Sequence, residues 1–254
     1  MNSDWLTHSL KPITLNALNA KAELLERVDK KYVLHASVLL DMIDDLAARF
    51  DVLEIDSLRD FAYETCYFDD VDRSSYFDHH QGRRQRMKVR VRKYLDSGQC
   101  FVEVKLKGKR GITMKKRMPY PVEKFGTLDV SATKHLQKHY KMLYGQPFDH
   151  PLEPVLLMRY HRTTLVAREG SERMTIDSNI QFCSGSDESW LDDNAFIVET
   201  KSANGNGLAD IILKHHHQRP ANSCSKYCIG MSVTGIVQHY NRFRPVLRQL
   251  GVLP

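Results

Sequence analysis

The chain has 254 residues, of which 42% are hydrophobic and 27% charged, and carries a formal net charge of +6. That length gives one large domain or two small ones, and the composition excludes overall disorder. The positive balance points to an anionic partner: nucleic acid, a phosphorylated metabolite or an acidic membrane surface.

In chain order, residues 1–20 read as a loose or weakly helical arm, and residues 21–254 as a single domain. That arm lacks the basic start and apolar core of a signal peptide. Five cysteines, an odd number, argue against a disulfide framework. No run of about 18 apolar residues occurs, so no membrane span is expected and a reducing cytoplasm is the default. Association with a membrane through a partner stays compatible with this.

The first strand is RVDKKYVL, where Val28, Lys30, Tyr32 and Leu34 alternate with Arg27, Asp29, Lys31 and Val33. Ser37 is placed to cap a helix running to Phe50, with Leu39, Ile43, Leu46 and Phe50 at helical spacing. YETCYFDD is aromatic and extended, and a turn-rich segment follows to Gly82. Two strands then alternate with unusual regularity. In MKVRVRKY, Met87, Val89 and Val91 fall on one face and Lys88, Arg90 and Arg92 on the other. In FVEVKLKGKR, Val102, Val104 and Leu106 alternate with Glu103, Lys105, Lys107 and Lys109.

The intervening Asp-Ser-Gly makes these two strands a hairpin. A two-residue loop of Ser97 and Gly98 would set Arg92 against Glu103, Arg90 against Lys105 and Lys88 against Lys107. Any even loop keeps both cationic rows on one face, and like charges opposite one another cost roughly 0.2–1 kcal/mol a pair. That face is either open to water or made for a polyanion.

GITMKKRMPY supplies a further strand, and Ser131 is placed to cap a helix ending at Gly145. Two long strands, PVLLMRYHRTTLVA and SERMTIDSNIQF, pair through Arg-Glu-Gly. A polar loop, SGSDESWLDDN, precedes the strand AFIVETKS. SANGNG reads as a flexible loop, and a helix from about Ser232 closes the chain with a break or kink at Pro245.

The cationic habit recurs along the second half. Arg162 and Thr164 share a face, as do Arg173, Thr175 and Asp177, and likewise Ile197, Glu199 and Lys201. Lys115 and Arg117 share one, with Lys116 opposite. The class is α+β, and if these antiparallel strands curl into a barrel, the cationic face becomes its lumen and the apolar face is covered by helices. Such a lumen suits phosphates, and its few acids suit a divalent cation.

The ordered set DKKY, CYFDD, KVRVRKY, VEVKLK, KKRMPY, YHRTTL, ERMTID, VETK and SKY resembles the vacuolar transporter chaperone (VTC) domain, over residues 25 to 230. That family belongs to the triphosphate tunnel metalloenzymes, whose fold is a closed antiparallel β-barrel with a basic lumen and flanking helices, and its characterised eukaryotic members make polyphosphate from ATP. The resemblance implies that Lys31, Arg90, Arg92, Lys105 and Glu199 carry catalysis. Lys88, Lys107, Lys115, Lys116, Arg162, Arg173, Lys201 and Lys226 would bind phosphate or nucleotide; whether Lys115 or Lys116 matches the family position stays open. Glu199 would hold Mn²⁺ or Mg²⁺. Many tunnel enzymes outside the VTC group begin with Glu-x-Glu-x-Lys, where this chain has Arg27, Asp29 and Lys31, which favours the VTC arrangement.

The partners expected are ATP and inorganic polyphosphate or pyrophosphate. Alternative readings are an inorganic or nucleoside triphosphatase of the same fold, and a non-catalytic polyphosphate- or nucleotide-binding module. Nucleic acid is disfavoured, because Tyr94 and Phe101 lie near the hairpin turn instead of interleaving with the cations. His215–His217 read as a surface loop or helix end, Cys224 and Cys228 as a pair on one helix turn that lacks a second ligand pair for zinc, and Asp69, Asp70 and Asp72 equally as a cation site or a polar turn. No metal ligand set is assigned to them.

Overall fold

The computed structural model describes residues 4–21, 28–108 and 113–253. Arg27, Lys109, Arg110, Gly111 and Ile112 of the expected strands lie outside the described residues. Eight strands run in one antiparallel order: β2 (Val28–His35), β11 (Ala195–Ser202), β9 (Arg173–Ser184), β8 (Glu153–Ala167), β4 (Asp60–Asp69), β5 (Arg86–Tyr94), β6 (Gln99–Lys107) and β7 (Thr113–Pro119). Three short strands extend the sheet: β1 (Lys11–Ile13) beside β3 (Phe50–Leu53), itself paired with β8, and β10 (Asp187–Trp190) beside β9.

The strands form the expected antiparallel sheet, curled around its basic face. Among the described residues no backbone ladder joins β2 to β7. The two strands nevertheless meet through side chains, with Lys115 Nζ 3.7 Å from Asp29 Oδ2. A ladder there would hold the Lys115–Arg117 row about 5 Å from the Lys31 row, and like charges directly opposite destabilise a sheet.

The hairpin of β5 and β6 keeps the predicted parity but shifts its register by one residue pair. Arg90 faces Glu103, Lys88 faces Lys105, and Arg92 faces Phe101. The loop is four residues long because Asp96 is drawn out of the ladder; its Oδ2 accepts from the Ala62 amide at 2.7 Å.

Helices cover the outer face. Helix α6 (Val130–Tyr144) buries Ala132 and Leu136 against Val89, Val91, Val102 and Leu106. Its cap is Asp129, which accepts from the Ala132 amide, with Ser131 donating to that carboxylate. Gly145 closes the helix at φ 75°, as expected. On the opposite flank, α3 (Ala36–Asp41), α4 (Ile43–Arg49) and α7 (Leu208–His215) place Leu39, Leu46 and Leu213 on Tyr32, Leu34, Met174 and Val198.

Several local expectations change for identifiable reasons. His35, whose ring accepts from the Ser37 amide, caps α3 in place of Ser37, and the helical stretch breaks at Met42. The first segment is not loose where described. Helices α1 (Asp4–Thr7) and α2 (Leu15–Lys21) flank β1, and Leu6, Leu10 and Leu18 are buried. The turn-rich segment before Gly82 contains α5 (Ser74–Gln81), and the polar loop before β11 contains β10. Pro245 does not break a helix; it sits in the first turn of α9 (Arg244–Gln249), where its missing N–H costs nothing.

One end of the curl is apolar. Leu156, Met158, Ile180, Phe182 and Ile197 continue inward, and α8 (Lys226–Val233) fills the space with Cys228, Ile229 and Met231. Gly230 is the contact point: a β-carbon there would come within 2.4 Å of Leu156 and 2.5 Å of Phe182. No helix among the described residues is long and apolar enough to cross a membrane.

Candidate functional site

The inward faces of the strands enclose a cavity of about 710 Å³. Fourteen lysines and arginines line it, against only two carboxylates, Glu103 and Glu199. Strand geometry explains the imbalance. On β5, Met87, Val89 and Val91 are buried under α6, which leaves Lys88, Arg90 and Arg92 facing the lumen.

The arginines are held before any ligand arrives. Arg90 Nε donates to Glu103 Oε2 at 2.6 Å and its Nη1 to the Tyr67 hydroxyl at 3.2 Å. Arg92 Nη1 lies 3.8 Å from the same carboxylate. Arg162 grips Asp177 with two parallel bonds, Nε to Oδ1 at 2.6 Å and Nη2 to Oδ2 at 2.8 Å. Lys226, on α8, pairs with Asp177 from the other side. The Tyr160 ring lies under Arg92, Arg162 and Lys226, with cation-to-centroid distances of 5.9, 5.3 and 5.6 Å.

The lysines divide into two kinds. Glu199 Oε2 lies 3.3 Å from Lys31 and Oε1 lies 3.0 Å from Lys201. Burial lowers Lys31, but Glu199 together with Cys224 and Asp29 outweighs it and leaves the ammonium raised. Lys105 gains less from Glu199: enclosure, then Lys115, Lys88 and Lys31, push it down to about 7. Enclosure likewise brings Lys201 to about 8, with Glu199 opposing, and it lowers Lys88, which donates to Ser225 Oγ at 2.9 Å.

The carboxylates respond oppositely. Burial would raise Glu103, yet Arg90 and Arg92 hold it at about 2. Arg162 and Lys226 do the same to Asp177, also about 2, and Lys201 with Lys31 keeps Glu199 well below the usual range. The lumen is thus a cationic field in which each acid is ionised and spoken for.

Of the residues singled out from sequence, Lys31, Lys88, Arg90, Arg92, Lys105, Lys115, Arg162, Arg173, Glu199, Lys201 and Lys226 converge on this one cavity. Lys107 does not line it; it faces Arg86 across the hairpin at the rim. The two adjacent lysines separate by parity. Lys115 faces Lys105 on the lumen side, whereas Lys116 borders the cavity but sits opposite Val104, and its charge bears on His135 and His139 of α6. Glu103, Asp177, Tyr67 and Tyr160 were not singled out, although all lie on lumen parity. The signal was the alternation itself, which included Glu103 and Asp177 but gave no reason to value an acid among cations.

Few of these side chains are free to hold a divalent cation. Among the described residues no three His, Cys, Asp or Glu side chains converge as a metal site. Glu103 and Asp177 are engaged by guanidinium groups, whereas Glu199 is flanked by two lysines, single-point donors that can turn away. Glu199 therefore fits a cation that draws its remaining ligands from phosphate oxygens and water, as Mg²⁺ does in phosphate sites. The other acidic and histidine motifs are structural. Asp69 and Asp70 accept from the Ser74, Ser75 and Tyr76 amides that open α5, and Tyr227 donates to Asp69. His216 pairs with Asp45. Cys224 and Cys228 are buried free thiols.

The VTC domain family model matches residues 26–234. The chain belongs to the VTC domain family. No curated protein matches it. Among solved structures, a candidate adenylyl cyclase from Hippeastrum, described with a dominant triphosphatase activity, aligns with TM-score 0.48 and 14% identity over 86% of this chain and 100% of that one. A candidate adenylate cyclase from Bacillus halodurans aligns with TM-score 0.48 and 12% identity, over 77% of this chain and 93% of that chain. A third, from Vibrio parahaemolyticus, gives 0.46 and 14% over 80% and 97%. The basic cavity of this VTC domain lies wholly within the matched residues, apart from Arg242 and Phe243 at its rim.

Proposed function

We propose that this VTC domain is a polyphosphate polymerase that transfers the terminal phosphoryl group of ATP to the end of a polyphosphate chain. The observation that carries the reading is the state of the carboxylates in the lumen and directly behind its cations: Glu103 and Glu199 line it, Asp29 and Asp177 pair with lining lysines and arginines, and all four are ion-paired. Activating water calls for a base with capacity to spare. A chain-end phosphate is already an anion at neutral pH and needs positioning and charge neutralisation instead.

A chain-end oxygen attacks the γ-phosphorus, the bond from that phosphorus to the β–γ bridging oxygen breaks, and ADP leaves with the electron pair. No proton moves. Arg90 and Arg92, aimed by Glu103 and Thr65, bind the transferred group; Arg162, aimed by Asp177, holds the neighbouring phosphates, and Lys31, Lys88 and Lys105 neutralise the chain. A cation held between Glu199 and the phosphates would offset charge on the leaving oxygen.

The test is incubation with ATP and Mn²⁺, with and without a short polyphosphate primer, run on a polyphosphate-stained gel beside Arg90→Ala. A ladder absent from the variant is expected. Free phosphate without a ladder would make the domain a triphosphatase, and neither product a binding module.

A further inference from the structure

A second cavity, of about 730 Å³, lies outside the sheet between α5, α6 and the start of β5. Arg83, Arg84 and Arg86 line it, and Arg86 also lines the tunnel, so the two spaces share a wall residue. Arg86 Nη1 donates to the Arg83 carbonyl at 3.0 Å, which ties this basic run together. The Tyr144 hydroxyl binds the carbonyls of Arg86 and Lys107 at 3.0 and 2.9 Å and fixes the rim where those two cations face each other.

The charges do not cancel. Asp78 lies 3.1 Å from Arg83 and offsets it, and Asp70 is committed to the Ser74 amide. Arg84 is exposed and has no ion-pair partner among the described residues. The aromatic wall is engaged with itself, Tyr140 meeting Tyr144 at 78° and Phe148 at 55°. A ligand there meets guanidinium groups before it meets a free ring face.

We propose that this cavity is an outer anion subsite, continuous with the tunnel through Arg86, that holds the distal phosphates of a chain whose end lies among Arg90, Arg92 and Arg162. The inference rests on the polyphosphate reading of the tunnel and adds a length preference to it: long chains span both spaces, triphosphate only the inner one.

The experiment measures binding of tripolyphosphate and of long-chain polyphosphate to the full chain, to Arg84→Glu, and to Lys11→Glu. The last carries the same change in net charge at an exposed strand that lines neither cavity. A long chain also gains affinity from its many binding registers, so the comparison runs between proteins. Arg84→Glu is expected to lose on the order of tenfold for the long chain and nothing for tripolyphosphate, as fits loss of a charge-assisted contact. Lys11→Glu should match the native chain. Equal losses in both variants, or none in Arg84→Glu, overturn the outer subsite while leaving the tunnel reading intact. Failure of the native chain to bind either ligand overturns both.

Discussion

Lys105 and Lys201 show what it costs to keep a phosphate tunnel empty. Their ammonium groups, at about 7 and about 8, are lowered by enclosure, with Lys115, Lys88 and Lys31 adding to it at Lys105. Two opposite pH dependences follow. Without ligand, the unfolded chain holds these protons up to an ordinary lysine value of about 10.4, so it binds more protons than the native state above pH 7. These groups therefore make stability rise with pH in that window. A bound triphosphate favours the charged lysines, so binding takes up protons and affinity falls as pH rises through 7 to 8 and beyond. Calorimetry of tripolyphosphate binding at pH 8 in buffers of different ionisation enthalpy should register this uptake. It should shrink in Lys105→Met and Lys201→Met; equal uptake in all three proteins would mean that the ligand's own titration accounts for it.

At the scale of elements, α8 joins packing to chemistry. Lys226 reaches Asp177 from its first turn, and Gly230, one turn on, rests against Leu156 and Phe182. Ala is the better helix former by about 1 kcal/mol, yet its β-carbon would overlap both side chains, and overpacking costs typically 1–3 kcal/mol. Gly230→Ala should therefore lower Tm by several degrees and weaken tripolyphosphate binding as Lys226 shifts; a raised Tm would show that the sheet yields. Nothing in the sequence marked this contact, because α8 meets residues about 50 and 75 positions away. The strands were legible for the contrary reason. Their period-2 alternation is local, so the lumen positions of Lys88, Arg90 and Arg92 followed from parity even though the loop length, and with it the register, did not. The register turned on Asp96 bonding to the Ala62 amide, a partner more than thirty residues away. Helix caps failed similarly: Ser37 and Ser131 are sound capping residues, but His35 and Asp129 stood nearer the point where the chain enters the helix.

For the whole molecule, the ion pairs of Glu103, Asp177 and Glu199 mean that, on the proposed reading, a cation enters only together with phosphate. Mn²⁺ alone should leave Tm unchanged, whereas Mn²⁺ with a non-hydrolysable ATP analogue should raise it above the analogue alone. A shift with Mn²⁺ alone would reveal a preformed cation site and reassign Glu199. The β2–β7 seam, which carries no backbone ladder among the described residues, has its own consequence. A strand edge without a ladder partner invites another copy of the chain to continue the ladder. Strand β7 is largely exposed and carries Lys115, Lys116 and Arg117 in succession. Two identical edges so charged repel one another. The cations that make the tunnel attractive to phosphate also keep this edge from nucleating aggregates, so solubility and substrate affinity draw on the same side chains.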